Sequence, residues 1–384
     1  TDEELSVFSS EEVPEFNDAP DEAMAAAENE QAGEIDLADN DKVMNGVYTI
    51  SSAGDYKFTC SRETGNRIVV DGKKISAKDS INIYLNKVNI NTSAGPALRI
   101  NVNVKATVTI YLTGTNNLIA KNTWYAGLQK ANTASLIITT KVLDPTAGIL
   151  NAHGSSDGDG AGIGGSNITI NSCSVIASSK YGAGIGGNKQ GAGSNITINS
   201  ASVTASSTDG AGIGGGLYGD GSDIIINNSS VTASSTNGAG IGGGKGGAGS
   251  NNITINGGSV KASSVSSSPT NDHGEKVYCC TIENLNSKKV IIDQNLKPWE
   301  PNNHQAVNPT DTNLYAWLTG EDHIVNVGTE RRSYIFDSED SESGTFSNTK
   351  RNATSDIFEF KGPRNFIYNG SSQTPSITVN DTIK

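Results

Sequence analysis

Two aspartates in a glycine-rich segment have the chemistry of metal ligands. Asp157 and Asp159 occur in HGSSDGDGAG, where they form an Asp-x-Asp pair. Calcium takes roughly six to eight oxygen ligands, so this pair needs carbonyls, water or neighbouring side chains to complete a site. Calcium is therefore the one cofactor that the sequence suggests. The alternative is an ordinary turn, in which Asp and Gly provide the backbone geometry.

Other polar residues give weaker support for catalysis. Asp220 and Asp223, in GLYGDGSD, are close in sequence, as the paired carboxylates of a glycoside hydrolase must be in space. A glycine-rich loop, however, is a poor platform for fixed acids. His153 has no Cys, His or second acid in clear register, and no Ser-His-Asp arrangement is visible. The four cysteines lack the spacing of a metal site. We therefore expect no catalytic residues.

Aromatic side chains are stronger candidates for ligand binding. Tyr84 and Tyr111 occupy the same position in the segments INIYL and VTIYL. Because the flanking aliphatic residues alternate with them, both tyrosines are predicted to point outward, ring beside ring. Such a ladder would stack against sugars, unless the N-terminal segment covers it. Trp124 and Tyr125, expected at a corner, and Tyr218, expected on an inserted loop, complete the predicted carbohydrate-binding set.

A repeat must position these residues. GAGIGG occurs at 160–165, 182–187, 210–215 and 238–243. Each copy is followed by an alternating segment such as NITIN and then by a third element such as SVTASS. The period is 22 residues in its shortest form and 28 where six residues are inserted at one corner. Three short strands per period are typical of a coil of stacked turns, whereas a propeller blade needs about 40 residues.

Alternation within each strand predicts which side chains point inward. The two isoleucines of NITIN share one face, because successive residues of a strand point to opposite sides. The asparagine that ends each such strand is expected to hydrogen-bond to its equivalent in the next turn. The predicted inward columns are Ile168, Ile196, Ile224 and Ile253; Ile170, Ile198, Ile226 and Ile255; Val175, Val203, Val231 and Val260; Ala177, Ala205, Ala233 and Ala262; Ile163, Ile185, Ile213 and Ile241. The asparagine column is Asn171, Asn199, Asn227 and Asn256.

Degenerate copies extend the repeat toward the N-terminus. INIYL at 81–85, VTIYL at 108–112 and LIITT at 136–140 occupy the position of NITIN. We therefore predict an all-β fold, a parallel β-helix of about seven turns over 81–264 with three strands per turn. A β cap is expected over 42–80.

The entry to this coil resembles a known family. The segments NGVYTISSAGDYKF, RIVVDG, INIYLNKVNINTSAGPALRI and VTIYLTGTNNLIA resemble those of carbohydrate-binding right-handed β-helix proteins of Firmicutes. Those are secreted or surface proteins, similar in fold to polysaccharide lyases, and some bind calcium. The resemblance covers roughly 45–170, and the GAGIGG repeats, common in large Firmicutes surface proteins, prolong it through 264. It implies a right-handed helix, an extracellular or cell-wall location and a glycan ligand.

The flanking segments differ in composition from the coil. Residues 1–41 carry 15 acidic and no basic residues, which predicts a disordered acidic leader. The rest of the chain has 26 acidic and 28 basic residues, a balance that argues against nucleic acid as a partner. No run of 18 apolar residues exists, so no membrane insertion is expected.

Three segments follow the predicted coil. We expect a linker at 265–275, a small β-rich accessory domain at 276–362, and a tail or the start of a further surface repeat at 363–384. The end of the chain resembles the first strands of an immunoglobulin-like surface repeat. This organisation suggests a monomeric module of a larger chain.

The resulting functional prediction is a non-catalytic, secreted or cell-surface protein that binds polysaccharide or acts in adhesion. A repetitive surface of Asn, Thr and Ser offers many weak contacts along an extended ligand, and such contacts add up. Two alternatives stay open. One is a structural stalk of a large adhesin; the other is an enzyme, either a calcium-dependent polysaccharide lyase or a glycoside hydrolase.

Overall fold

A computed structural model describes residues 33–141, 148–249, 251–283, 285–286, 288–293, 312–338, 344–349, 358–361 and 376–379. Over these ranges the chain is all-β: a parallel coil of about seven turns, followed by small antiparallel sheets. One short 3-10 helix, Gly72–Lys74, interrupts the strands. No helix among these residues is long and apolar enough to cross a membrane. The predicted fold class is confirmed.

Twenty-one of the strands belong to the coil. In chain order they are β1 (Ile35–Asp36), β2 (Val47–Ile50), β3 (Gly54–Thr59), β4 (Arg67–Val70), β5 (Ser80–Asn86), β6 (Asn89–Thr92), β7 (Leu98–Ile100), β8 (Thr107–Ala120), β9 (Leu128–Lys130), β10 (Ser135–Thr140), β11 (Gly148–His153), β12 (Ile163–Gly164), β13 (Ile168–Asn171), β14 (Ser174–Ser178), β15 (Ile185–Gly186), β16 (Gly193–Asn199), β17 (Ser202–Ser207), β18 (Ile213–Gly214), β19 (Gly221–Ser235), β20 (Ile241–Gly242) and β21 (Asn251–Ala262).

These strands stack in parallel into three faces. The glycine face is an eight-stranded sheet of β2, β4, β7, β9, β12, β15, β18 and β20. The isoleucine face holds β3, β5, β10, β13 and β16 with the first halves of β8, β19 and β21. The serine face holds β6, β11, β14 and β17 with the second halves of the same three long strands. The long strands turn the corner between the isoleucine and serine faces.

The register of the stack confirms the predicted columns. Ile168 pairs with Ile196, which pairs with Ile224, and the isoleucines, valines and alanines of the other predicted columns align in the same way. These inward side chains are buried, apart from Ala262 in the last turn, which is partly buried. The predicted amide ladder is also present. The Nδ2 of Asn199, Asn227 and Asn256 each donates to the Oδ1 of the asparagine one turn earlier, at 2.9, 2.8 and 2.8 Å.

Glycine in GAGIGG is required by close approach of neighbouring turns. Gly186 and Gly214 both have φ +131°, a conformation that L side chains rarely adopt. A Cβ on Gly214 would lie 2.0 Å from the carbonyl oxygen of Gly242 in the next turn. The inserted six-residue loops stack as well: Gln190 N donates to Leu217 O at 2.7 Å, and Tyr218 N donates to Lys245 O at 2.9 Å.

The N-terminal end of the coil differs from the prediction. β2 and β3 pair in parallel with β4 and β5, so the segment expected to cap the coil forms part of its stack. The predicted leader is also too long, because β1 pairs with β3 and Leu37 is fully buried. Ile35 and Leu37 alternate with a polar residue, and the free edge of β3 supplies their backbone partners. Residues 1–32 lie outside the described residues.

The C-terminal end of the coil is covered by two segments. Within the predicted linker, Val265 bridges to Ile241 and Thr270 to Thr254, which adds a partial turn. The accessory region contributes β22 (Val277–Ile282), β23 (Val290–Ile292), β24 (Leu314–Thr319), β25 (His323–Val327), β26 (Glu330–Asp337) and β27 (Thr345–Thr349). Trp317 of β24 donates its indole N–H to the carbonyl of Val260 at 2.9 Å.

The accessory region has its own antiparallel sheets and core. β22 pairs with β24, and β23, β25, β26 and β27 form a four-stranded sheet around the buried Leu285, Val325 and Tyr334. The last strands, β28 (Phe358–Lys361) and β29 (Ser376–Val379), pair with each other. The predicted domain boundary at 362 therefore divides a two-stranded sheet.

Candidate functional site

The two tyrosines predicted to form a ladder lie side by side on the isoleucine face. Tyr84 of β5 pairs in register with Tyr111 of β8. Their ring centroids are 4.8 Å apart and their planes differ by 11°, so the rings are stacked. Flanking Ile83 and Leu85 are buried, which directs both tyrosines outward as the alternation predicted. We call this pair the tyrosine platform.

Polar and charged groups surround the platform. Asp55 accepts a hydrogen bond from Asn82 Nδ2 at 2.8 Å and one from the Tyr84 hydroxyl at 3.5 Å. Lys141 Nζ lies 4.3 Å from the ring centroid of Tyr84 and 6.0 Å from that of Tyr111. Burial, together with the nearby Asp55 and Tyr111, raises the pKa of Tyr84, so its hydroxyl stays protonated as a hydrogen-bond donor. The platform thus combines apolar ring surface with donors and acceptors.

The stacking limits how a sugar approaches the rings. Each tyrosine gives one ring face to the other, and Lys141 Nζ lies over the Tyr84 ring, so a ligand meets the partly exposed ring edges and the two hydroxyls. The alternative prediction is that the N-terminal segment covers both tyrosine rings. Among the described residues, that segment reaches Asn86, whose Nδ2 donates to Glu34 Oε1 at 2.8 Å. Both rings remain partly exposed beside it.

The platform continues into a polar lattice on the same face. In register with Tyr111, the next turn presents Thr139, and the turns after it present the asparagine ladder that begins at Asn171. From Tyr84 to Asn256 this column spans six turn spacings, or roughly 29 Å at about 4.8 Å each. A second outward column holds Asn82, Thr109, Ile137, Thr169, Thr197, Ile225 and Thr254. An extended ligand lying along the coil would meet ring, hydroxyl and amide groups in succession.

The other predicted aromatic residues lie elsewhere. Trp124 and Tyr125 are in the turn between β8 and β9, at the corner of the serine and glycine faces. The Trp124 side chain is 54% exposed. Tyr218 is 59% exposed on an inserted loop, with its ring against Gly246 of the next loop. The structure therefore brings Tyr84 and Tyr111 together, but it does not gather all five aromatic residues into one site.

The two predicted metal ligands each form an ion pair with a lysine. Asp157 contacts Lys180 Nζ at 3.2 Å, and Asp159 contacts Lys189 Nζ at 3.3 Å. Within the described ranges, no cluster of three or more His, Cys, Asp or Glu side chains is placed to hold a metal ion. A calcium ion at this pair would have to displace Lys180 and Lys189 from the two carboxylates. Calcium binding stays a prediction.

The candidate catalytic carboxylates also contact the following turn. Asp220 Oδ1 accepts from Ala248 N at 2.6 Å, and Asp223 Oδ1 accepts from Asn252 Nδ2 at 2.9 Å. Burial raises the pKa of the Cys173 and Cys280 thiols to about 12, so neither is an activated nucleophile. In these contacts the carboxylates join adjacent turns.

Sequence reasoning missed one pair of functional groups. His153 of β11 aligns with Ser178 of β14, and its Nδ1 lies 2.6 Å from the serine Oγ. Burial lowers the pKa of His153, which favours the neutral imidazole. Aligning ILNAH on SVIAS, so that Leu150 matches Val175 and Ala152 matches Ala177, would have placed the histidine beside this serine.

Comparison with known families divides the coil into two parts. Residues 44–158 match a family described as carbohydrate-binding domain-containing protein. Four segments, 168–189, 196–217, 224–245 and 253–268, match a beta helix repeat family. Comparisons with curated proteins and with solved structures gave no significant match. The first matched range contains Tyr84, Tyr111 and Trp124.

Proposed function

We propose that this chain is a non-catalytic polysaccharide-binding protein that engages its ligand through the tyrosine platform and the polar lattice of the isoleucine face. The observation that carries the proposal is the stacked, outward pair of Tyr84 and Tyr111 inside the range that matches a carbohydrate-binding family. Partly exposed aromatic rings bordered by hydroxyl, amide and carboxylate groups suit a ligand that has both C–H faces and hydroxyls.

Repetition supports a polymer as the ligand. The lattice presents similar groups in every turn, so weak contacts add along an extended chain without any single deep pocket. A non-catalytic role is supported by the engagement of Asp157, Asp159, Asp220 and Asp223 in contacts with adjacent turns.

The setting we propose is extracellular. The resemblance to secreted and surface β-helix proteins of Firmicutes supports a protein that is secreted or attached to the cell wall, as one module of a longer chain. Labelling of intact cells with an antibody against the coil tests this location. Labelling that requires cell lysis would contradict it.

A panel of immobilised plant and bacterial cell-wall polysaccharides tests the binding function. We expect at least one polymer to bind, and Tyr84→Ala and Tyr111→Ala each to weaken that binding by roughly two- to tenfold, equivalent to about 0.5–1.5 kcal/mol. Tyr218→Ala serves as the control, because this tyrosine is exposed on a different corner.

Two outcomes contradict the proposal. Weakening by Tyr218→Ala but by neither platform variant would move the site away from the isoleucine face. Absence of binding to every polymer would leave the structural stalk as the better account.

A further inference from the structure

A second polar groove lies on the serine face, away from the tyrosine platform. This open groove has a volume of about 480 Å³ and lies at the C-terminal ends of β8, β11 and β14. This volume falls within the range of about 300–1,000 Å³ that small-molecule sites occupy. Its lining includes Ile119, Lys121, His153, Ser155, Ser178 and Lys180.

The lining offers directed hydrogen bonds. Because the Nδ1 of His153 contacts Ser178, the imidazole is held in place and its Nε2 is the ring atom left to a ligand. Ser155 is nearly buried, and its hydroxyl accepts a hydrogen bond from Asp157 N at 3.4 Å. An oriented imidazole and fixed hydroxyls that line a groove suit the hydroxyls of a sugar ring.

The groove carries a net positive charge. Lys121 and Lys180 are the charged side chains among its lining residues. Asp157 pairs with Lys180, but its side chain is 78% exposed and it does not line the groove. Within the described part of the chain, Lys121 has no carboxylate partner. An anionic group in the groove would pair with its ammonium.

An exposed indole follows Lys121 in the same turn. Asn122 fixes this turn, because its Nδ2 donates to Ser93 O at 3.4 Å and its Oδ1 accepts from Trp124 N at 3.2 Å. The Trp124 side chain is more than half exposed, so its ring surface is open to a sugar.

We infer that this groove is a second glycan-binding subsite that takes a sugar residue bearing a carboxylate or sulfate, with Lys121 pairing the anion and His153 and Ser178 hydrogen-bonding the ring hydroxyls. The inference rests on the proposed polysaccharide-binding function and names the ligand class of a second site. Since the groove and the platform lie on different faces, one protein would contact a long chain twice or join two chains.

Titration calorimetry with three oligosaccharides of equal length tests the inference: one neutral, one containing uronate and one sulfated. We expect an anionic oligosaccharide to bind more tightly than the neutral one. Comparison of the uronate-containing and the sulfated oligosaccharide then identifies whether the groove prefers a carboxylate or a sulfate. Lys121→Gln should weaken that binding by roughly fivefold, equivalent to about 1 kcal/mol, and leave neutral binding unchanged. Lys105→Gln is the matched control, an exposed lysine in the turn between β7 and β8.

Variants separate this inference from the proposed function. Anionic binding that persists in Tyr111→Ala and falls in Lys121→Gln and Ser178→Ala supports a separate subsite. The groove is not the anionic subsite if Lys121→Gln and Lys105→Gln have equal effects, or if only Tyr111→Ala abolishes anionic binding. Either result overturns this inference and is compatible with glycan binding at the tyrosine platform. Absence of binding by all three oligosaccharides and by the polymer panel overturns the proposed function as well.

Discussion

Replacement of Gly214 by alanine tests the register on which both binding surfaces depend. The added Cβ would lie 2.0 Å from Gly242 O and 2.9 Å from Gly242 C, and both atoms belong to backbone that neighbouring turns hold in place. The residue also has φ +131°, where a side chain costs about 1–3 kcal/mol. Overpacking adds about 1–3 kcal/mol. We therefore expect Gly214→Ala to lower the free energy of unfolding by roughly 2–6 kcal/mol.

Urea unfolding followed by circular dichroism measures this change. Gly65→Ala is the matched control, because a Cβ there has no neighbouring atom within 4 Å and the residue does not have a positive φ. We expect the control to stay within about 0.5 kcal/mol of the wild type. If Gly214→Ala behaves like Gly65→Ala, the stacking of GAGIGG strands described above is wrong.

Two further predictions concern pH and the C-terminal end. Burial lowers the pKa of Lys130 to about 8, so the folded protein carries the cost of a buried ammonium below that pH and loses it as pH rises toward about 10.5. Lys130→Met also loses the hydrogen bond from Lys130 Nζ to Ser166 O, a loss that lowers its stability at every pH. In urea titrations the stability of Lys130→Met relative to the wild type should therefore fall by at most roughly 3 kcal/mol as pH rises from 7 to 10; a pH-independent difference would contradict this. Trp317→Leu removes the bond to Val260, worth about 1 kcal/mol, and should speed proteolytic release of the accessory region, whereas Trp124→Leu should not.

The regular turns of the coil could be predicted because their spacing and alternation are explicit in the sequence. A strand period of two fixes which isoleucine points inward, and aligned repeats fix which residues stack. The same reasoning placed Tyr84 beside Tyr111 and Asn199 beside Asn171. These contacts lie between equivalent positions of adjacent strands, where backbone pairing alone determines the neighbours.

Contacts made by long side chains or irregular turns could not be predicted in this way. The pairs of Asp157 with Lys180 and of Asp159 with Lys189 depend on how the corner loops fold back on the preceding turn. β1 was not predicted, because the acidic composition around it indicated a disordered segment, but Ile35 pairs in register with Phe58. Composition describes the average of a segment, whereas the two-residue strand β1 forms because the edge of β3 is free to pair with it.

Hydrogen–deuterium exchange with a bound oligosaccharide tests the central claim most directly. A ligand on the tyrosine platform should slow amide exchange in peptides covering 80–86 and 107–113, and Tyr111→Ala should remove that protection. Protection confined to the accessory region, or a bound ligand that leaves both peptides unchanged, would contradict the claim that the isoleucine face binds glycan.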